Sequence, residues 1–132
     1  MNDIRLLIAD DMPQVCKDLR TVLQLAGQAA GMPIDILGEA CNGRQAVLMA
    51  LALQPDVVLM DLEMPVQDGL SATRQIKTTC PATRVLVLTV HGDPQDRSLA
   101  LQAGADGFLV KGVPVADIIS EIRRFVQEGK ST

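Results

Sequence analysis

The chain has 132 residues, long enough to bury a sizeable core and short for more than one domain. Apolar residues make up 48% but aromatics only 2%, with no Trp or Tyr, so the core has to be aliphatic. A net charge of −4 argues against nucleic acid as a partner of this chain, because phosphate binding needs clustered Lys and Arg. Cys16, Cys41 and Cys80 are odd in number, widely spaced and set in apolar contexts, which suits reduced thiols buried as small hydrophobes rather than a disulfide or zinc set. The opening apolar run is too short for a signal peptide and no run reaches membrane-spanning length, so a cytoplasmic protein is expected.

Read in chain order, short apolar runs alternate with segments of helical period. IRLLIA (4–9) predicts a first strand, and a helix over 13–30 follows, with Pro13 near its start. IDILGEA (34–40) predicts the second strand, and the Asn42-Gly43 turn leads into a helix over 43–54. DVVLM (56–60) and the Asp68-Gly69 turn bracket the third unit, whose helix covers 69–79. RVLVLT (84–89) predicts the fourth strand; Pro94 and Gly104 delimit a helix over 94–103. GFLV (107–110) predicts the fifth. The last helix, 115–128, carries the apolar stripe Val115, Ile118, Ile119, Ile122 and Val126, with Gly129 at the expected C-cap. Phe125 falls at the margin of that stripe, an expected half-exposed position open to a partner.

Most of these strands are continuously apolar instead of alternating, as when helices cover both faces of a parallel sheet. Five βα units in a row therefore predict an α/β three-layer sandwich with right-handed crossovers. In such sheets the working edge is at the carboxyl ends of the strands. Strand one ends in Asp10-Asp11, strand three in Asp61, strand four in Thr89 and strand five in Lys111. Four strand ends thus bring three acids, a hydroxyl and a lysine to one edge.

Three carboxylates suit a hard dication such as Mg²⁺, which takes oxygen ligands and keeps several waters. Without a cation they would raise one another's pKa, and Lys111 would relieve part of that repulsion. A carboxylate beside a metal, a lysine and a hydroxyl is also a phosphoryl-transfer set: the carboxylate can attack phosphorus while the cations and the hydroxyl hold the other oxygens.

IADD (8–11), VVLMDLEMPVQDG (57–69), LVLT (86–89) and AGADGFLVK (103–111), taken together and in this order, resemble a response-regulator receiver domain over nearly the whole chain. The resemblance implies a five-stranded parallel sheet of flavodoxin-like topology, spanning 1–129, with 130–132 starting a linker or tail. It implies that Asp61 is the phosphoacceptor, that Asp11 binds Mg²⁺ directly and Asp10 through water, and that the backbone carbonyl of Glu63 completes the metal contacts. Thr89 and Lys111 would hold phosphoryl oxygens, and Phe108 would be the aromatic that turns inward when Thr89 moves. Glu63 and His91, each two residues past Asp61 and Thr89, would tune the lifetime of the acyl phosphate.

Two departures stand out. Lys111 is followed by Gly112 where many receivers have proline after a cis bond, and a cis non-proline bond costs about 3–4 kcal/mol. The GQAAGMP segment between the first helix and second strand is slightly long. GEACNG (38–43) and GADGFLVKG (104–112) resemble receivers that carry LuxR-type helix-turn-helix outputs.

Each residue also has a plainer reading: Asp11 as an N-cap before Pro13, Asp61 as a solvated strand end, Lys111 as a snorkelling lysine, Phe108 as core. Convergence on one edge is what favours chemistry. A Mg²⁺-dependent aspartyl phosphatase is the enzyme rival, but it needs Asp-x-Asp on the first strand and a cap segment. A flavodoxin-like FMN binder needs aromatics and a phosphate loop where this chain has ADDMPQ. The expected function is a switch phosphorylated by a sensor histidine kinase rather than a turnover enzyme. Its readout is expected to be a homodimer and a DNA-binding domain beyond this chain, or else docking on a partner protein by a complete single-domain regulator.

Overall fold

The computed structural model describes residues 3–130. Five strands and five helices alternate: β1 (Ile4–Ala9), α1 (Pro13–Ala29), β2 (Ile34–Ala40), α2 (Gly43–Leu53), β3 (Val57–Met60), α3 (Gly69–Thr79), β4 (Arg84–Thr89), α4 (Pro94–Gln102), β5 (Gly107–Val110) and α5 (Val115–Lys130). All pairings are parallel and the order is β2-β1-β3-β4-β5.

The continuously apolar strands divide by alternation. Leu7, Ala9, Val58, Met60, Val85, Val87 and Phe108 pack against α2, α3 and α4. Leu6, Ile8, Val57, Leu59, Leu86 and Leu88 pack against α1 and α5. Both faces are covered, so the central strands keep no polar side, whereas the edge strand β2 leaves Asp35 exposed and Glu39 half-exposed. Deleting a fully buried side chain here, such as Leu6 or Leu86, should cost about 2–5 kcal/mol.

Local chemistry sets the helix starts. Asn42, Asp68 and Asp93 each accept a backbone N–H three residues on, from Gln45, Ser71 and Asp96, at 2.8 Å. The Asn42-Gly43 and Asp68-Gly69 turns are thus N-caps. The cap of α1 is Met12, which makes no side-chain cap bond, and Pro13 occupies the first turn. Asp11 therefore does not cap.

Three expectations need correction. Gly129 lies inside α5, which continues to Lys130; residues 131 and 132 are outside the described residues. Phe125 is 3% exposed, its ring packed under Arg84 and Arg124, so it offers nothing to a partner. Cys41 is exposed and Cys80 half-buried, and only Cys16 is the buried thiol expected of all three. The lengthened GQAAGMP segment is taken up by a tight reversal in which Met32 donates to the Gly27 carbonyl at 2.8 Å.

Candidate functional site at the carboxyl edge of the sheet

β1 and β3 are neighbours at the point where strand order reverses, with Ala9 opposite Met60. The residue after each strand is an acid, and Asp61 donates its backbone N–H to the Ala9 carbonyl at 3.0 Å. Asp10 and Asp61 are both buried, whereas Asp11 faces solvent. One ligand oxygen from each of the three acids lies within 4.8 Å of the others, a separation a single cation can span.

Lys111 closes this cluster from β5. Its backbone N–H bonds to the Thr89 carbonyl at 2.7 Å, extending the ladder by one residue. Its Nζ stands 2.5 Å from Asp10 Oδ2 and 3.3 Å from Asp61 Oδ2. The Lys111–Gly112 bond is not cis; Gly112 turns the chain at φ +101, a left-handed position where a side chain would be strained. Val113 then donates to Val110 at 3.3 Å, closing the turn without proline.

Burial holds the Asp61 carboxyl above its usual range, and the charge of Asp10 adds to this. The Lys111 charge and the Glu63 N–H, 3.4 Å from Asp61 Oδ1, work in the opposite direction. For Lys111, burial opposes the charge, but the bond to Asp10 and the charges of both acids outweigh it and raise its pKa. Beneath the cluster, the Cys16 thiol is pushed up to about 11 by burial and by Asp10, which makes it unreactive.

The loop after Asp61 is held tightly. A Cβ on Gly69 would lie 2.0 Å from the Asp61 carbonyl, so only glycine lets α3 start this close to the acid. Gly69 and Gly43 donate to the Leu62 and Gln67 carbonyls, both at 2.9 Å. Val66 sits at φ 70 in a three-residue turn closed by Gln67 onto Pro65 at 2.7 Å, an uncommon backbone state for a β-branched residue. Glu63 and His91 meet across the gap between this loop and the one after β4, with His91 Nε2 2.7 Å from Glu63 Oε1.

Thr89 is fully buried, and its hydroxyl oxygen accepts the His91 N–H at 3.4 Å. The hydroxyl makes no hydrogen bond to the Asp61 or Lys111 side chain among the described residues, so the structure brings it to the same edge without joining it to the acids. Phe108 is 5% exposed and already packed in the core. The sequence reading placed every residue of this edge but not the Glu63–His91 contact or the stapled loop. The Gly43 and Gly69 positions were the available signal for the loop.

Residues 6–123 match the response regulator receiver domain family. The chain is a member of that family. Among curated proteins, this receiver is 35% identical over 119 residues to the transcriptional regulatory protein LnrK of Bacillus subtilis, covering 90% of this chain and 52% of that one. It is 34% identical over 121 residues to the response regulator protein VraR of Staphylococcus aureus, with 92% and 56% covered. The chain thus spans about half the length of these relatives. A LuxR-family two-component response regulator from Aurantimonas sp. SI85-9A1 superposes with a TM-score of 0.86 at 27% identity, with 96% and 87% covered. The NarL signal receiver domain from Mycobacterium tuberculosis gives 0.83 at 29%, with both chains covered in full. The receiver fold and its relation to transcriptional regulators agree with the sequence reading. Membership also retires the phosphatase and flavin rivals.

Proposed function

We propose that this receiver is a phosphorylation switch whose phosphoacceptor is Asp61. The observation that carries the reading is Lys111 Nζ set between two buried carboxylates, Asp10 and Asp61, at the ends of adjacent strands. The donor is the phosphohistidine of a sensor histidine kinase. An Asp61 carboxylate oxygen attacks phosphorus, the phosphorus–nitrogen bond breaks with its electron pair leaving on the imidazole, and an acyl phosphate remains. Lys111 is already charged and placed to hold a phosphoryl oxygen. The Thr89 hydroxyl hydrogen is free to donate to another, since its oxygen accepts from His91.

The donor set fits Mg²⁺: three carboxylates converge, all hard oxygen ligands, one of them exposed and able to admit water. Asp11 and Asp61 would hold the ion, Asp10 through water, with the Glu63 carbonyl completing the set. Bound there, it would neutralise the charge of the transferring phosphoryl group. Phe108 is the aromatic whose inward position accompanies the phosphorylated state, and Glu63 and His91 tune its lifetime.

The receiver domain spans 1–129. The natural protein continues into a DNA-binding output, as the relatives' names and lengths suggest, and phosphorylation acts by promoting a homodimer. This chain alone binds no DNA. It works in the cytoplasm, a reading supported by its free cysteines; no described helix is long and apolar enough to cross a membrane.

Incubation with Mg²⁺ and a small phosphodonor, followed by intact-mass measurement, tests the assignment. One added phosphoryl group is expected on the wild type and none on Asp61→Asn. Retention of the group by Asp61→Asn would overturn it.

A further inference from the structure

Both phenylalanines of the chain carry arginine over the ring, but in different circumstances. Phe125 lies near Arg84 and Arg124, whose guanidiniums are also bonded to Glu128 and Glu121. Those arginines would stay where they are without the ring. Phe108 has Arg97 alone, its guanidinium carbon 5.8 Å from the ring centroid. Arg97 is exposed and makes no ion pair or side-chain hydrogen bond among the described residues, so the ring is its one partner there.

The helix that carries Arg97 is weakly attached. Of the residues of α4, only Ala100 is buried. Ala100 lies three positions on from Arg97, on the same side of the helix, and shares a core cluster with Phe108. Beneath them Phe108 pairs with Val87, and two residues further along β4 Thr89 pairs with Val110. Strand alternation puts Val87 and Thr89 on one face, so Thr89, Phe108 and Arg97 follow one another from the phosphorylation edge to the α4 surface.

We propose that Arg97 is a positioning residue for Phe108, its guanidinium holding the ring inward and tying α4 to the position of that ring. A cation over an aromatic face at a partly exposed site biases such an equilibrium by about two- to fivefold, enough to shift a balanced switch and too little to lock it. Turning the ring outward would take from Arg97 its one partner among the described residues and from Ala100 the ring that shares its core cluster. The inference rests on the reading of Phe108 as the switch aromatic.

The test uses Arg97→Gln, which removes the charge at similar length, and Arg97→Lys, which keeps it. With no Tyr or Trp in the chain, the phenyl protons seen by NMR come from Phe108 and Phe125 alone. Arg97→Gln is expected to move the Phe108 ring resonances and leave those of Phe125, with Arg97→Lys in between. Unmoved Phe108 resonances in Arg97→Gln would overturn the contact. Apparent affinity for beryllium trifluoride in the presence of Mg²⁺ should fall about two- to fivefold in Arg97→Gln and largely recover in Arg97→Lys. Equal loss in both variants, or none in Arg97→Gln, would overturn the positioning role. A wild-type chain that takes no beryllium trifluoride would sink the proposed function instead, while the ring resonances still decide the contact.

Discussion

Lys111 Nζ is closer to Asp10 than to Asp61, 2.5 Å against 3.3 Å, although Asp61 is the acid proposed to react. The lysine therefore neutralises the pair rather than serving one member, and both acids are buried beside it. Removing one partner of a buried charge cluster leaves the others uncompensated, a cost of about 3–5 kcal/mol when the burial is complete. Lys111 retains some solvent contact, which lowers the figure. Lys111→Met should destabilise the metal-free protein by roughly 2 kcal/mol in urea unfolding. A variant as stable as the wild type would show that the acids do not need the lysine.

The same cluster predicts stabilisation by metal. At free Mg²⁺ about tenfold over Kd, binding to the folded state alone adds about 1.4 kcal/mol. The gain should be larger in Lys111→Met, where the cation takes over the missing charge, and mostly lost in Asp11→Ala. Thermal unfolding with and without millimolar Mg²⁺ checks all three. An unchanged melting temperature in the wild type counts against a metal site.

Asp61 predicts a pH dependence in chelator. Burial and Asp10 raise its folded pKa above the ordinary 3.8, so the folded state binds this proton more readily than the unfolded state. The charged form thus costs stability at any pH above the raised value. That cost is relieved as pH falls through it toward 3.8. Asp61→Asn, which cannot ionise, should melt a few degrees above the wild type at neutral pH, with the gap closing on acidification through that window. A gap that stays constant with pH would mean that burial does not penalise the carboxylate.

The fold was legible because the strands are apolar throughout and the caps and prolines punctuate every helix; predicted and observed bounds agree to within two residues. The placement of the candidate site was legible because Thr89 ends a strand, Asp10, Asp61 and Lys111 directly follow one and Asp11 comes next, and the carboxyl-edge rule brings strand ends together whatever lies between. Side-chain reach was not legible. That Glu63 meets His91, or Arg97 covers Phe108, depends on rotamers of exposed residues in different units, and no periodicity encodes those. Phe125 misled for a related reason. Its place at the margin of the α5 stripe indicates half-exposure, but Arg84 from β4 and Arg124 from its own helix close over the ring. Gly129 was misplaced because glycine inside a helix costs only about 1 kcal/mol relative to Ala, too little to end α5 by itself.

Glu63 and His91 join the two loops that flank Asp61, and each is bound to the reacting set by its own backbone. The Glu63 N–H points to Asp61 Oδ1 and the His91 N–H to Thr89 Oγ1, both at 3.4 Å. Their side chains then close the gap between the two loops at 2.7 Å. Neither group supplies the nucleophile or the lysine, so phosphorylation of Asp61 should proceed without them. Its hydrolysis should not be indifferent, because opening the bridge changes both the room for water and the charge beside it. If the two act as one unit, Glu63→Ala and His91→Ala should each alter the decay rate of the acyl phosphate. The double variant should then decay no differently from either single, a non-additivity of roughly twofold or more. Decay followed by intact mass after removal of the phosphodonor measures all four proteins. Half-lives equal to the wild type throughout would remove the pair from the mechanism, and strictly additive changes would mean that the bridge is a contact without a joint role.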